Sequence, residues 1–310
     1  MRQPQVNVEK NRSLLFGTVM LLVIGFVALI ILFIGFTAIL PSFMGKCVAV
    51  VDVDVPLSIE GEPTTMFTEG YLGSEGFANV FTTLDRREDV GAVVIVFNSP
   101  GGSVVATREV YDSVKEMKKP KVSYFREMAA SGAYYIASGT DYIISDPDAL
   151  TGSIGVVATF TDMSGLLEKI GVNVTSVTSG PHKDIGSLTR PMTEEEYNIT
   201  KALIDEIFAE FKSIVTQNRA GKLDSTLFAQ VLDGRILSGR QAQKVGLVDQ
   251  TGSKRDAIIK AADLANISYT SYEDIRICKV PTHGESAGLL SADAFFRLFT
   301  SDNGAKVSYR

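Results

Sequence analysis

From Ser13 to Gly45 the chain carries no charged residue, and Leu14 to Leu40 is almost entirely Leu, Ile, Val, Phe, Gly and Ala. About 20 such residues cross the hydrocarbon of a bilayer, so residues 14–40 are predicted to form one transmembrane helix, with length left for tilt. A secretory signal peptide has a shorter apolar stretch, about 7–15 residues, before a small-x-small cleavage site. Thr37-Ala38-Ile39 imitates such a site poorly, which favours an uncleaved anchor. Arg2, Lys10 and Arg12 precede the span. The positive-inside rule then leaves residues 1–13 in the cytoplasm and the body outside the cell membrane.

Beyond the span, short apolar runs alternate with helical stretches. Residues 48–55 (Val-Ala-Val-Val-Asp-Val-Asp-Val) predict a strand by β-branched content and alternation. Ala92 to Phe97 is an unbroken apolar run, as in a strand covered on both faces. Val104 to Lys118 predicts a helix stopped by Lys119-Pro120, Lys121 to Phe125 a strand, and Ala129 to Ser138 a short helix. Further strands are expected at Tyr142–Ser145, Gly155–Phe160, Val174–Thr178 and Leu247–Asp249, and an irregular connection at residues 56–80. Thr193-Glu194-Glu195-Glu196 forms a capping box before a helix with Leu203, Ile207, Phe211 and Ile214 on one face. Strand and helix alternating at this spacing imply an α/β fold of βαβ units around a mostly parallel sheet. No internal repeat is visible, so residues 46–265 read as one domain. Residues 266–310 read as an extension whose apolar patch, Ala294 to Phe299, is placed to dock on the body or on a partner chain.

Charge and rare residues narrow the chemistry. The 310 residues hold 30 Lys+Arg against 36 Asp+Glu, and three of the bases lie before residue 46, leaving the body acidic. That argues against a nucleic-acid partner, whose phosphates are bound largely through Lys and Arg. Cys47 and Cys278 are the only cysteines. They exclude a cysteine zinc ribbon, an iron–sulfur cluster and a disulfide framework, and read as two small buried hydrophobes. His182 and His283 are the only histidines, so a His-Glu-x-x-His metalloprotease is excluded.

Three features point to nucleophilic catalysis. Ser99-Pro100-Gly101-Gly102 follows a buried strand, where ligand crevices of open α/β sheets lie; paired glycines can aim N–H groups at a ligand, although the same residues make an ordinary turn. Ser131 stands among small residues at the start of a short helix, either as a helix N-cap or as a nucleophile facing a cleft. Lys183 lies in a Gly/Pro loop. It is either solvated or, if buried and neutral, a general base. His182 and His283 remain alternative bases. A Gly-x-Ser-x-Gly elbow and a Ser-x-x-Lys motif are both missing, which leaves a Ser-Lys pair distant in sequence as a known arrangement.

The motifs Asn98-Ser-Pro-Gly-Gly-Ser103, Met128-Ala-Ala-Ser-Gly-Ala-Tyr-Tyr-Ile-Ala137, Thr151-Gly-Ser-Ile-Gly-Val156, Ser179-Gly-Pro-His-Lys-Asp-Ile-Gly-Ser187, Gly234-Arg-Ile-Leu-Ser-Gly-Arg-Gln-Ala242 and Val245-Gly-Leu-Val-Asp249 together resemble the signal peptide peptidase A type of membrane serine protease, in its short single-domain form. The resemblance runs from about Val48 to Ile258. It implies a Clp protease/crotonase-like fold of repeated ββα units, with Ser131 as nucleophile and Lys183 as general base. Gly102 and Gly132 would form the oxyanion hole, and Ser153 would hydrogen-bond the lysine amine. It further implies no metal or cofactor, cleavage of signal peptide remnants and other hydrophobic peptides at the lipid bilayer, and a homo-oligomer in which neighbouring subunits can supply Ser and Lys. His182 beside the lysine and the strand at 50–55 depart from the family pattern, and the last 25 or so residues have no counterpart in it. Competing readings are a related protease acting on a membrane protein partner, a crotonase-like acyl-CoA enzyme and an inactive membrane scaffold.

Overall fold

The computed structural model describes residues 45–62 and 70–280, together with Met20, Leu22 and residues 24–32. Most of the expected anchor at 14–40 lies outside the described residues. Its described part is helical, with apolar side chains exposed, Leu22 at 73% and Leu32 at 71%. Among the described residues no helix is long and apolar enough to cross a membrane.

The body is built on one sheet. In chain order its elements are β1 (Cys47–Val53), α1 (Ser74–Arg86), β2 (Val90–Ser99), α2 (Val104–Glu116), β3 (Lys121–Ala130), α3 (Gly132–Ser138), β4 (Tyr142–Ser145), β5 (Leu150–Gly152), α4 (Ser164–Lys169), α5 (Glu194–Asn218), α6 (Ser225–Gln230), β6 (Ile236–Ser238), α7 (Gly239–Val245), β7 (Gln250–Thr251), α8 (Lys254–Leu264) and β8 (Ile277–Lys279). The strands run β6-β5-β3-β2-β1-β8, with β4 also on β3 and β7 on β4. Every pairing is parallel except β5 with β6, so the fold is α/β with a mixed, mostly parallel sheet.

Ala92 to Phe97 of β2 is apolar at every position because both faces of the strand are covered. Val93, Ile95 and Phe97 of β2 enter the core under α1, α2 and α3, while Ala92, Val94 and Val96 enter a second core under α8. Ser74, Phe77, Phe81 and Leu84 are the buried face of α1. Their helical spacing lies in a stretch otherwise dominated by Gly, Thr and Glu, which is why the connection expected at 56–80 contains the start of a helix.

Four expectations are corrected. Gly155–Phe160 and Val174–Thr178 are not strands: they run outside the sheet and pack too little to be covered, leaving Val157 84% and Val177 96% exposed. The strand expected at Leu247–Asp249 begins later, at Gln250, because the Leu247 N–H bonds Ala242 O to close α7. Cys47 and Cys278 are not two separate hydrophobes. They form a disulfide with Cα atoms 5.9 Å apart, made possible because β8, beyond residue 265, pairs alongside β1.

Candidate functional site

Three strand ends meet at one place. Where β2 ends, Ser99 Oγ donates to Val55 O at 2.6 Å and accepts the Gly101 N–H at 3.3 Å. Leu57 holds the following turn on its other side, donating to Gly101 O and accepting from Ser103 N, each at 2.8 Å. A side-chain carbon at Gly102 would fall 2.0 Å from Leu57 O, so only glycine lets the two backbones approach this closely.

β3 ends at Ala130, beside Gly152 of β5. Thr151 Oγ1 bonds Ala129 O at 2.7 Å and the Ser131 N–H bonds Gly152 O at 3.0 Å, which fixes the strand end just before the chain reverses into α3. Ser131 carries the reversal at φ 52°, ψ −122°. That region is nearly closed to residues with a Cβ and costs about 1–3 kcal/mol. The Ser131 side chain makes no capping bond to α3, so the N-cap alternative does not account for it. Ser153 also has a positive φ, 48°, and its N–H is held by Arg235 O at 2.9 Å.

Gly102, Ser131, Gly132 and Ser153 therefore line one cavity of about 570 Å³. Its far wall is apolar, formed by Ile204, Ile207, Phe208 and Phe211 of α5 with Leu232. Helical periodicity places Ile207 and Phe211 on one face, which the sequence alone reads only as a core contact. Charged groups at the cavity are already engaged: Arg108 pairs with Glu210, Lys201 with Asp205, and Arg235 with Asp233. The Arg235 guanidinium holds the Asp233 carboxyl down at about 2. Burial pushes the Tyr135 phenol up to about 12, so at neutral pH it is an uncharged hydroxyl. A serine, two backbone amides and an apolar wall can take an acyl group from a peptide carbonyl, provided a base reaches Ser131.

Lys183 is not among the residues lining this cavity. It lies exposed on the turn at 181–186. Around it, Asp184 accepts two bonds from Arg190, at 3.0 and 2.7 Å, and Arg190 also binds the buried Glu196. His182 Nε2 lies 3.4 Å from Glu195 and likewise does not line the cavity, while His283 lies outside the described residues. One chain thus brings together Ser131, Gly102, Gly132 and Ser153, and holds Lys183 elsewhere.

Fold and site define a class, an α/β protein that presents a strained serine beside backbone amides in an apolar cavity. Residues 74–145 match the Clp protease family model, and residues 113–268 match that of Peptidase family S49. The chain belongs to Peptidase family S49, the serine proteases of signal peptide peptidase A type. It is 40% identical over 194 residues to a protein of Methanocaldococcus jannaschii assigned as a protease, covering 62% of each. It is 32% identical over 216 residues to an assigned signal peptide peptidase of Enterococcus faecium, covering 69% of this chain and 62% of that one. Protease 4 of Haemophilus influenzae is 32% identical over 222 residues, 71% of this chain and 35% of its own. The chain therefore spans about three fifths of the length of the first two of these curated relatives and about a third of the last. A solved membrane-bound stomatin-specific protease, in a mutant form, aligns over 76% of this chain and 98% of its own with TM-score 0.46 and 16% identity.

Proposed function

We propose that this chain is a membrane-anchored serine endopeptidase that hydrolyses signal peptide remnants and other hydrophobic peptides outside the cell membrane, with a Ser131–Lys183 dyad shared between neighbouring copies. The observation that carries the reading is the strained Ser131 in one cavity with Gly102 and Gly132. In the mechanism, Oγ of Ser131 attacks the scissile carbonyl carbon as the neutral Lys183 amine of an adjoining copy takes its proton. The Gly102 and Gly132 amides hold the oxyanion; its collapse breaks the C–N bond, and the lysine ammonium returns the proton to the leaving amine. A water deprotonated by the same lysine then releases the acyl group from Ser131. Ser153 hydrogen-bonds the lysine amine and aims it.

A lysine must be desolvated to act as a base near neutral pH, which an exposed turn does not supply. The stretch around that turn carries exposed apolar side chains, Val157, Ile170 and Val177 among them, and burying these against another copy would enclose the lysine. The apolar wall from α5 suits an apolar peptide. The Cys47–Cys278 bridge persists in an oxidising compartment, in keeping with a body outside the cytoplasm, and the uncharged 14–40 segment is long enough for an anchor.

The test uses the full chain in detergent and a fluorogenic peptide with an apolar segment. Ser131→Ala and Lys183→Ala should each abolish hydrolysis. Reassembling the two variants together in equal amounts should restore about one quarter of wild-type activity, since one contact in four then joins an intact serine to an intact lysine. Activity surviving in Ser131→Ala overturns the nucleophile; no recovery on mixing, with assembly intact, overturns the sharing.

A further inference from the structure

Thr107 lies in the first turns of α2, only 5% exposed, and its Oγ1 has no hydrogen-bond partner among the described residues. A helical threonine commonly returns its hydroxyl to the carbonyl one turn back. Here that carbonyl, Ser103 O, receives the Thr107 N–H at 2.9 Å and the hydroxyl points elsewhere. A side-chain carbon at Gly132 would fall 2.3 Å from Thr107 Oγ1. The hydroxyl therefore fills the space that a side chain directly after the nucleophile would take. Thr107 lines the same cavity as Ser131 and Gly132, and Leu57 and Ile154 make the surroundings apolar. A buried hydroxyl without a partner destabilises the molecule that contains it. A partner that arrives with the substrate would remove that penalty only when substrate is bound.

Resting on the protease reading of Ser131, we propose that Thr107 is the specificity-determining residue of the subsite that takes the side chain just before the cleaved bond, its hydroxyl selecting serine or threonine over an apolar side chain of equal size. A carbonyl placed over Ser131, with its oxygen between the Gly102 and Gly132 amides, belongs to the residue that must lie nearest Gly132. On this reading the side chain of that residue is set against Thr107, whose Oγ1, buried beside Gly132, turns about χ1 to meet it. A site built to pair with a hydroxyl discriminates against an isostere that lacks it, because the site's own polar group is then left unpaired.

The experiment measures kcat/KM for three peptides that differ only in the residue before the cut, serine, 2-aminobutyrate or alanine. Full-length wild type, Thr107→Val and Thr107→Ser are compared, with Tm recorded for each. Wild type should favour serine over 2-aminobutyrate by about tenfold, Thr107→Ser should keep most of that ratio, and Thr107→Val should bring it near one while still cleaving the alanine peptide. Tm of Thr107→Val should be no lower than wild type. A wild type that cleaves all three peptides equally overturns the inference and leaves the protease reading standing. So does an equal loss on all three peptides in Thr107→Val, or a clear fall in its Tm. A wild type that cleaves none of them, with Ser131 unreactive to a fluorophosphonate, overturns the protease reading and the inference with it.

Discussion

The backbone at Ser131 stores strain that can be released by one substitution. At φ 52° and ψ −122° a Cβ crowds its own backbone, a penalty of about 1–3 kcal/mol that alanine retains and glycine loses. Against this, glycine's greater freedom in the unfolded chain costs about 0.5–1 kcal/mol. Ser131→Gly should therefore be more stable than Ser131→Ala by about 1 kcal/mol, which for a domain of this size is about 2–4 °C in Tm. Ser131 also begins α3, and glycine is preferred to alanine at helix starts in general. The same two substitutions at Ser253, the ordinary extended N-cap of α8 at φ −100°, report that preference alone. Thermal unfolding of the four variants by circular dichroism, in one buffer and at one concentration, gives both differences. If the glycine-over-alanine gain at residue 131 does not exceed the gain at residue 253, the strand-to-helix turn is not strained and the reasoning fails.

Reducing the Cys47–Cys278 bridge, or Cys278→Ala, should lower stability by about 2–5 kcal/mol, read as the fall in Tm on adding reductant; an unchanged Tm would mean that β8 is held to β1 without it. Arg190 keeps the Glu196 carboxyl at about 2, against an ordinary 4.5, and also holds Asp184 below its usual range. Because both values are depressed on folding, the stabilisation is present above pH 4.5 and lost as pH falls towards 2. Arg190→Gln should flatten Tm against pH in that window, and an unaltered slope would place the acid lability elsewhere. Gly102→Ala forces Leu57 away from the turn and displaces the amide proposed as an oxyanion donor, so kcat should fall on the order of 10²–10³-fold; a folded Gly102→Ala with full activity would remove that amide from the mechanism.

How much of this was legible in the sequence depends on where each residue's partner lies. Ala92–Phe97 announced a doubly covered strand because the feature is local, and the Thr193 capping box announced α5 through bonds spanning three residues, Thr193 N–H to Glu196 Oε2 at 2.9 Å and Glu196 N–H to Thr193 Oγ1 at 3.2 Å. The meeting of Gly102, Ser131, Gly132 and Ser153 was signalled by motifs, but their geometry depends on strand ends brought into register. The disulfide was unreadable, since 231 residues separate the two cysteines and only the pairing of β8 on β1 makes them neighbours. The β-branched runs at Gly155–Phe160 and Val174–Thr178 misled for the opposite reason: the composition of a strand is present there, but the chain runs outside the sheet and stays exposed. Thr107 carried no signal, because an orphaned hydroxyl is defined by what surrounds it in space.

The bridge between the first and last strands has a consequence for the chain as a covalent object. Residues 47 and 278 are joined twice, once through the peptide backbone and once through sulfur, so everything between them is a closed loop. A single backbone cut in the exposed stretch between β5 and α5, by this molecule or by a neighbour, would leave two fragments still attached. They would migrate as one chain without reductant and as two with it, and the nicked body would keep every strand of its sheet at its original address.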